Sequence, residues 1–171
     1  PVADKIKPRV RETAKFLWIV YVGITFAQIL ALSAAGMGIF DSICHAFTTM
    51  PTGGFSTKNA SIGHFDSSVI HFIIIFFMFL AGVNFSLHFR AINGDFKAYI
   101  KDKEFSVYFS VTLFITVLVF IFVSINGLGF SFLNFRDSLF TSISILTTTG
   151  FGSADYELWP VAVQAILLIL M

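Results

Sequence analysis

The chain has 171 residues, of which 56% are hydrophobic, 12% are charged and 23 are phenylalanine. This composition is too apolar for an ordinary soluble domain, and without a soluble fold its basic stretches indicate membrane orientation rather than nucleic-acid binding. The single cysteine, Cys44, excludes an intrachain disulfide and a cysteine-rich metal site. We therefore expect an all-α membrane protein that contacts lipid and binds no nucleic acid.

Three uncharged hydrophobic runs are long enough to cross a bilayer, which takes about 20 helical residues. They cover residues 16–37, 69–87 and 105–127. A fourth run, over residues 159–171, begins in the same manner and stops at the end of the chain. Because the chain starts at Pro1 and has no cleavable signal-peptide pattern, we interpret it as an excerpt of a longer membrane protein.

The basic residues lie in two clusters that predict the orientation. One cluster is in segment 1–15, and the other lies in or beside a linker over residues 91–104. Two full crossings separate the clusters, so both lie on the same side, and the positive-inside tendency makes that side cytoplasmic. The loops that follow the first and third runs therefore face outside. The basic residues of the linker cluster are Arg90, Lys97, Lys101 and Lys103.

A short element occurs twice in the chain, with an offset of 96 residues, as between Gly54 and Gly150. Residues 41–47 align with residues 137–143, and the same offset then places residues 52–57 on residues 148–153 without a gap. Each copy follows a long apolar helix and contains a short amphipathic segment and a Thr/Gly-rich loop. Such an internal repeat determines the architecture.

The repeat predicts tandem helix–pore-loop–helix (M1-P-M2) units like those of K+ channels. The first unit covers residues 16–90 and contains a filter loop at 52–56. The second covers residues 105–171, contains a filter loop at 148–152, and has a truncated last helix. The chain thus holds between one and a half and two such units.

A short helix is expected before each filter loop, near residues 40–50 and 136–147. Asp41 is a good N-cap for the first of them, and Asn134 or Asp137 for the second. Such a helix, dipping into the membrane, directs its carbonyl dipole inward and favours a cation at that end. Glycine lets the chain beyond the helix aim successive carbonyl oxygens at one axis, where they replace the hydration shell of an alkali cation.

Two plainer interpretations of the loops are an ordinary surface turn and a phosphate-cradling loop. The phosphate interpretation fails because no Lys-Ser/Thr pair follows the glycines and no α/β pattern surrounds them. A surface turn accounts for one loop, but poorly for two loops in identical register behind equivalent helices.

Three segments carry a family resemblance. Residues 48–63 resemble a filter region of the Trk/Ktr/HKT potassium transporters, and residues 147–156 with the following Trp159-Pro160 resemble the next filter. Residues 84–91 resemble the passage from helix to cytoplasm in the TrkH-type subunit. The resemblance implies four helix–pore-helix–helix repeats around one central pore, of which this chain holds the second and most of the third. In that family the missing closing helix also contributes a gating loop below the filter.

The resemblance also implies which residues form the site. The glycine that the family keeps in each filter falls on Gly54 and Gly150. K+, the transported ion and the only ligand implied, would be held by backbone carbonyls of both loops, and no cofactor is expected. The carbonyls implied are those of Thr52, Gly53, Gly54, Thr148, Thr149 and Gly150, with Phe55 and Phe151 completing the filter loops.

The same resemblance implies partners and a location. It implies K+ uptake across a bacterial inner membrane, by H+ or Na+ symport or in a channel mode. It further implies a homodimer of the full-length protein, regulated by a cytosolic ring of nucleotide-binding TrkA-type subunits. The basic linker then lies nearest to that ring, although anchoring of the membrane topology is its simpler role.

Three alternatives remain open at this stage. A two-pore-domain K+ channel should have a second filter glycine in both units, and Ser56 departs from that pattern where Gly152 fits it. A non-conducting scaffold subunit would carry the same loops without flux. A membrane-embedded enzyme would depend on His45 and His71, although no nucleophile or metal-ligand spacing accompanies them.

Several polar side chains near the loops have simpler expected roles. The histidines are expected to make hydrogen bonds at helix ends or between helices. Lys58 is expected to be a solvated loop residue, with electrostatic tuning of cation entry as the alternative. Arg136 and Asp137 are expected to form an exposed ion pair or a helix cap.

Overall fold

The computed structural model describes residues 3–171, apart from the side chains of residues 3–10, 13, 127 and 128. The side chains of Lys5, Lys7 and Arg9, which belong to the predicted basic segment, lie outside the described residues. Within this part, helices joined by loops make up the fold and no strand occurs, which confirms the all-α prediction.

Eight α-helices form the described chain, with short 3₁₀ turns at Ser61–His64 and Tyr156–Leu158 and a π turn at Ser124–Leu128. In chain order the helices are α1 (Ala3–Ala34), α2 (Ile39–Thr49), α3 (Ser68–Ala81), α4 (Phe85–Ile92), α5 (Lys97–Lys101), α6 (Lys103–Val123), α7 (Phe132–Leu146) and α8 (Val161–Leu170).

Two helices of the described chain are long and apolar enough to cross a membrane on their own. They are Ala14–Ala34 of α1, with 21 residues, and Lys103–Asn126, with 24 residues, which joins α6 to part of the π turn. The α1 helix ends in a Schellman motif, in which Gly36 takes a φ of 93° and Met37 N–H donates to the Leu32 carbonyl at 3.1 Å. The predicted crossings over 16–37 and 105–127 are thus present as helices.

The predicted crossing over 69–87 is not one continuous helix. It is divided into α3 and α4, which are bent by 101° at a break between Ala81 and Phe85. The Asn84 side chain accepts a hydrogen bond from Ser86 N–H at 3.0 Å, and so caps the new helix. Within an uncharged run, Gly82 and Asn84 were the only sequence signals of this break.

Gly82 packs too tightly for a side chain. A Cβ there would lie 2.6 Å from the Tyr108 hydroxyl oxygen and 2.9 Å from Thr147 Cγ2. We expect Gly82→Ala to destabilise the folded protein by about 1–3 kcal/mol through overpacking. The measurement is the apparent melting temperature of the detergent-solubilised full-length protein.

The control for this change is Gly23→Ala in α1. A Cβ at Gly23 meets nothing within 4 Å. Alanine is the better helix former, so this variant should keep or slightly raise the melting temperature. If Gly82→Ala and Gly23→Ala had equal melting temperatures, the claim that Gly82 has no room for a side chain would be wrong.

The α2 and α7 helices are the short helices predicted before the loops. The 11 residues of α2 span about 17 Å, which is too short to cross a hydrocarbon core of about 30 Å. Their N-caps differ from those expected. Gly38 precedes α2, and the Ser131 hydroxyl accepts from Asn134 N–H at 3.1 Å at the start of α7. Asp41 and Asp137 lie inside their helices, and a loop hydroxyl donates to each of these carboxylates.

One apolar core joins the two halves of the chain. It contains Leu32 of α1, Ile74 and Met78 of α3, and Phe140 of α7, all of them fully buried. A second cluster packs α6 against α8 through Val119 and other side chains. The α7 helix thus lies between α3 and α6, and this packing holds the second loop beside the first.

Candidate ion-filter site

Both loops adopt the same unusual backbone at equivalent positions. In the first loop, φ is 54° at Thr52 and 65° at Gly54, and in the second it is 57° at Thr148 and 85° at Gly150. A left-handed φ is costly for threonine, because its Cβ crowds the backbone. Two threonines share this conformation at an offset of 96 residues, which indicates that the loops are built alike.

Hydrogen bonds from the end of α2 hold the first loop. The amides of Gly53 and Gly54 both donate to the carbonyl oxygen of Thr48, at 2.8 and 3.2 Å. The Thr48 hydroxyl donates in turn to the Phe55 carbonyl at 2.8 Å. The loop therefore wraps around the last turn of its own helix.

The second loop repeats each of these contacts at the end of α7. The amides of Thr149 and Gly150 donate to the Ser144 carbonyl at 2.8 and 3.2 Å. The Ser144 hydroxyl donates to the Phe151 carbonyl at 2.8 Å. Thr48 and Ser144 were not singled out in the sequence, although the repeat aligns them and both carry a hydroxyl.

These contacts determine where the loop carbonyls point. In a trans peptide the carbonyl of one residue points opposite to the amide hydrogen of the next. Because the amides after Thr52 and Gly53 point at α2, the carbonyls of these two residues point away from it. The carbonyls of Thr148 and Thr149 point away from α7 for the same reason. Within the described residues, none of the six loop carbonyls predicted to bind K+ accepts a hydrogen bond.

The two loops touch each other through their backbones. A Cβ added to Gly54 would overlap the carbonyl oxygen of Thr149 and would lie 3.1 Å from the carbonyl carbon of Gly150. Only glycine fits between the loops at this position. The backbone of Gly54 in the first loop therefore lies directly against the Thr149 carbonyl of the second loop.

A second contact joins the loops farther along the chain. Gly63 N–H donates to the Gly152 carbonyl at 3.1 Å, and Gly152 N–H donates to the Ser61 hydroxyl at 3.2 Å. Ser61 itself takes a φ of 52°. No local pattern in the sequence indicates this role for Ser61, since its partner is 91 residues away.

The phenylalanines predicted in the two loops have different surroundings. Phe151 is 4% exposed and belongs to the core between the halves, where its ring lies 5.9 Å from that of His45. Phe55 is 77% exposed. The two loops therefore share a backbone conformation but not the environment of this side chain.

The buried histidines His45 and His71 make hydrogen bonds, but the partners of His45 lie in its own helix and in the first loop and not in another helix. His45 Nδ1 donates to the Asp41 carbonyl at 2.7 Å, which leaves Nε2 to accept from the Ser56 hydroxyl at 2.9 Å. A nitrogen of His71 lies 2.8 Å from the Phe65 carbonyl oxygen. Across the part of the chain that the structure describes, no three His, Cys, Asp or Glu side chains come together as metal ligands.

Two predictions about charged side chains hold only in part. Lys58 lies in a loop, but it is ion-paired and not simply solvated, since its Nζ lies 3.1 Å from Asp41 Oδ2. The predicted pair of Arg136 with Asp137 is present but not exposed: Arg136 is only 9% exposed, and its guanidinium also donates to the Ser68 hydroxyl at 3.0 Å. Lys58 reaches Asp41 from the loop, whereas Arg136 is the neighbour of Asp137 on the same helix.

Neighbouring side chains stabilise the negative charge of Asp41, which lies in the first turn of α2. The hydrogen bond from Thr57 and the contact with Lys58 hold the pKa of this carboxyl below its ordinary value, against the opposing effect of burial. The interactions that depend on ionised Asp41 are therefore present at neutral pH. They are lost only as the pH falls through the lowered pKa.

The described residues contain long apolar helices, two short helices before similar loops, and no strand, which together indicate an integral membrane protein. The model of the TrkH family of cation transport proteins matches residues 2–135, and the chain belongs to this family.

Named relatives agree with this assignment. The chain is 42% identical over 173 residues to the Trk system potassium uptake protein TrkH of Salmonella typhimurium, covering 98% of this chain and 35% of the relative. It is 34% identical over 158 residues to TrkG of Escherichia coli K12, covering 92% of this chain and 33% of the relative. The chain thus spans about a third of the length of these relatives.

A solved structure has the same fold. The crystal structure of the potassium transporter TrkH from Vibrio parahaemolyticus superposes with a TM-score of 0.90 at 37% sequence identity. The match covers 95% of this chain and 36% of that one. The overall helical fold of this chain therefore matches that of a solved potassium transporter.

Proposed function

We propose that this chain forms two neighbouring walls of a K+-selective pore, in a transporter that takes up K+ as part of a Trk-type system. One observation carries the proposal: the same set of hydrogen bonds turns the loop carbonyls away from the supporting helix in both halves. The choice of K+ as the transported ion rests on the relatives, which are named potassium uptake proteins.

The chemistry of the loops suits K+. Backbone carbonyls carry partial charges, so they can replace water around an alkali cation without trapping it as carboxylates would. The C-terminal ends of α2 and α7 adjoin the loops and add negative potential there. In this proposal the ligands are the carbonyls of Thr52, Gly53, Gly54, Thr148, Thr149 and Gly150.

Orientation and partners form the finer part of the proposal. The filter loops face outside, and the linker that contains α5 lies at the cytoplasmic surface of a bacterial inner membrane. Lys97 and Lys101 are exposed there, while Arg90 pairs with Asp95 at 2.6 Å. This basic surface supports topological anchoring. It also offers a place for a TrkA-type subunit to contact a homodimeric transporter.

The test is ion uptake by the full-length transporter that contains this chain, produced in a host without K+ uptake of its own. We expect uptake of K+ and its analogue Rb+ to exceed that of Na+. The 171-residue chain alone should give no selective flux, because the resemblance provides it with only two of four walls.

Two results would contradict this function. Absence of flux in the full-length protein, at normal membrane levels, would favour the scaffold alternative. Selective K+ flux from the purified chain alone would rule out the four-repeat pore. The control is an empty vector in the same host.

A further inference from the structure

A carboxylate at the start of α2 holds the outer end of the first filter loop. The Thr57 hydroxyl donates to Asp41 Oδ1 at 2.6 Å. Lys58 Nζ lies 3.1 Å from the other carboxylate oxygen, Oδ2. Thr57 directly follows the loop, so these contacts fasten the loop's outer end to the first turn of its own helix.

The second half of the chain has the same contact at the same offset. The Ser153 hydroxyl donates to Asp137 Oδ1 at 3.2 Å. Arg136 donates to this oxygen through Nε at 3.0 Å and Nη2 at 2.9 Å. The Asp137 side chain is only 15% exposed, so these charge-assisted hydrogen bonds are partly shielded from water.

We call each of these contacts, in which a hydroxyl just past the loop donates to an aspartate of the preceding helix, a brace. The two braces are equivalent in position but have different supporting residues. Threonine donates in one half and serine in the other. The cation comes from the loop side as Lys58 in the first, and from the helix side as Arg136 in the second. The common element is a hydroxyl just past the loop that donates to an aspartate in the first two turns of the helix.

The loops need such support because their backbone is strained. Thr52 and Thr148 occupy the left-handed region, which persists only where surrounding contacts enforce it. The inner end of each loop is held by the amide hydrogen bonds to Thr48 or Ser144. The outer end requires a second point of attachment, and the carboxylates provide it.

Resting on the proposed function, we infer that Asp41 and Asp137 are positioning residues that set the K+ over Na+ discrimination of the pore by bracing the outer ends of both filter loops. Na+ is smaller than K+ and is coordinated well only if the carbonyls move closer together. A loop fastened at both ends resists that movement, whereas a loop released at its outer end accommodates the smaller ion.

The test removes single hydroxyls in the full-length transporter and leaves both ion pairs in place. Thr57→Val is nearly isosteric, and Ser153→Ala removes one oxygen atom. We expect each to lower the ratio of K+ to Na+ uptake by about fivefold, the size of one typical net hydrogen bond. Thr57→Ser restores the hydroxyl and should restore the ratio.

Asp66→Asn is the matched control for surface charge. Asp66 is exposed and lies in the connection between the first loop and α3. Its neutralisation should leave the ratio unchanged. If Asp66→Asn lowered the ratio of K+ to Na+ uptake as much as Thr57→Val or Ser153→Ala does, the effect would not be specific to the braces. That result would overturn the inference.

Other outcomes separate this inference from the proposed function. If Thr57→Val and Ser153→Ala both left the ratio of K+ to Na+ uptake unchanged, with K+ uptake intact, the inference about Asp41 and Asp137 would be overturned. The proposed K+ pore would not be affected by that result. Equal losses of K+ and Na+ uptake, without a change in their ratio, would mean that the hydroxyls matter for folding alone and would also overturn the inference. If the unmodified transporter did not discriminate between the ions, the proposed function itself would fail.

Discussion

Replacing Gly54 by alanine in the full-length transporter is expected to reduce the ratio of K+ to Na+ uptake by about tenfold or more. The added Cβ would overlap the Thr149 carbonyl oxygen, which belongs to rigid backbone and cannot swing aside like a side chain. The left-handed φ of 65° adds about 1–2 kcal/mol of strain for any residue with a Cβ. Both effects displace carbonyls of the two filter loops, and Gly54→Ser should act in the same way. Gly150→Ser, with a φ of 85°, should lower the ratio through backbone strain.

The control is the neighbouring glycine. A Cβ at Gly53 would lie no closer than 3.7 Å to another atom, which is ordinary van der Waals contact. The equivalent position in the second loop is already occupied by Thr149. Gly53→Ala should therefore keep most of the discrimination. The measurement is competitive uptake of K+, Rb+ and Na+, normalised to transporter in the membrane. If Gly54→Ala and Gly53→Ala discriminated equally, the filter assignment would be wrong.

Loss of the Arg136 side chain is expected to be the most destabilising change of a charged residue. Arg136→Met would leave the Asp137 carboxylate in a largely buried place without its cation, and would remove the hydrogen bond to Ser68 on α3. Breaking one partner of a buried ion pair commonly costs about 3–5 kcal/mol. We expect a lower apparent melting temperature in detergent and less transporter in the membrane.

Arg90→Gln serves as the comparison. Arg90 also pairs with an aspartate, at 2.6 Å from Asp95, but the two side chains are 53% and 48% exposed. Exposed pairs contribute about 0–1 kcal/mol, so this variant should unfold near the normal temperature. Adding Asp137→Asn to Arg136→Met should recover part of the lost stability, since it removes the unpaired charge. If the double variant recovered no stability, the loss in Arg136→Met would come from lost packing and not from the unpaired charge.

Features with a local or periodic signal were predictable from the sequence. The apolar runs located the long helices, and the offset of 96 residues located both loops and the helices before them. The positions of Gly54 and Gly150 agree with the left-handed backbone found there. The assignment of these residues as K+ ligands stays a prediction, but the backbone that it requires is present.

Features that depend on distant contacts were not predictable. The run 69–87 contains no charge, so its hydropathy gave no sign of a bend of 101°. Gly82, which lies at the break, packs closely against the distant residues Tyr108 and Thr147. Asp41 was expected to cap α2 because aspartate caps helices well, but Thr57 and Lys58 engage its carboxylate instead. Side-chain competition of this kind is decided only once the chain has folded.

The contacts between the loops have a consequence for protein engineering. Gly54 adjoins the Thr149 carbonyl, while Ser61 and Gly63 bind Gly152 of the other half. The transplantable module is therefore larger than one five-residue loop. A filter grafted from another transporter would need segment 52–63 together with segment 148–153, exchanged as a matched pair.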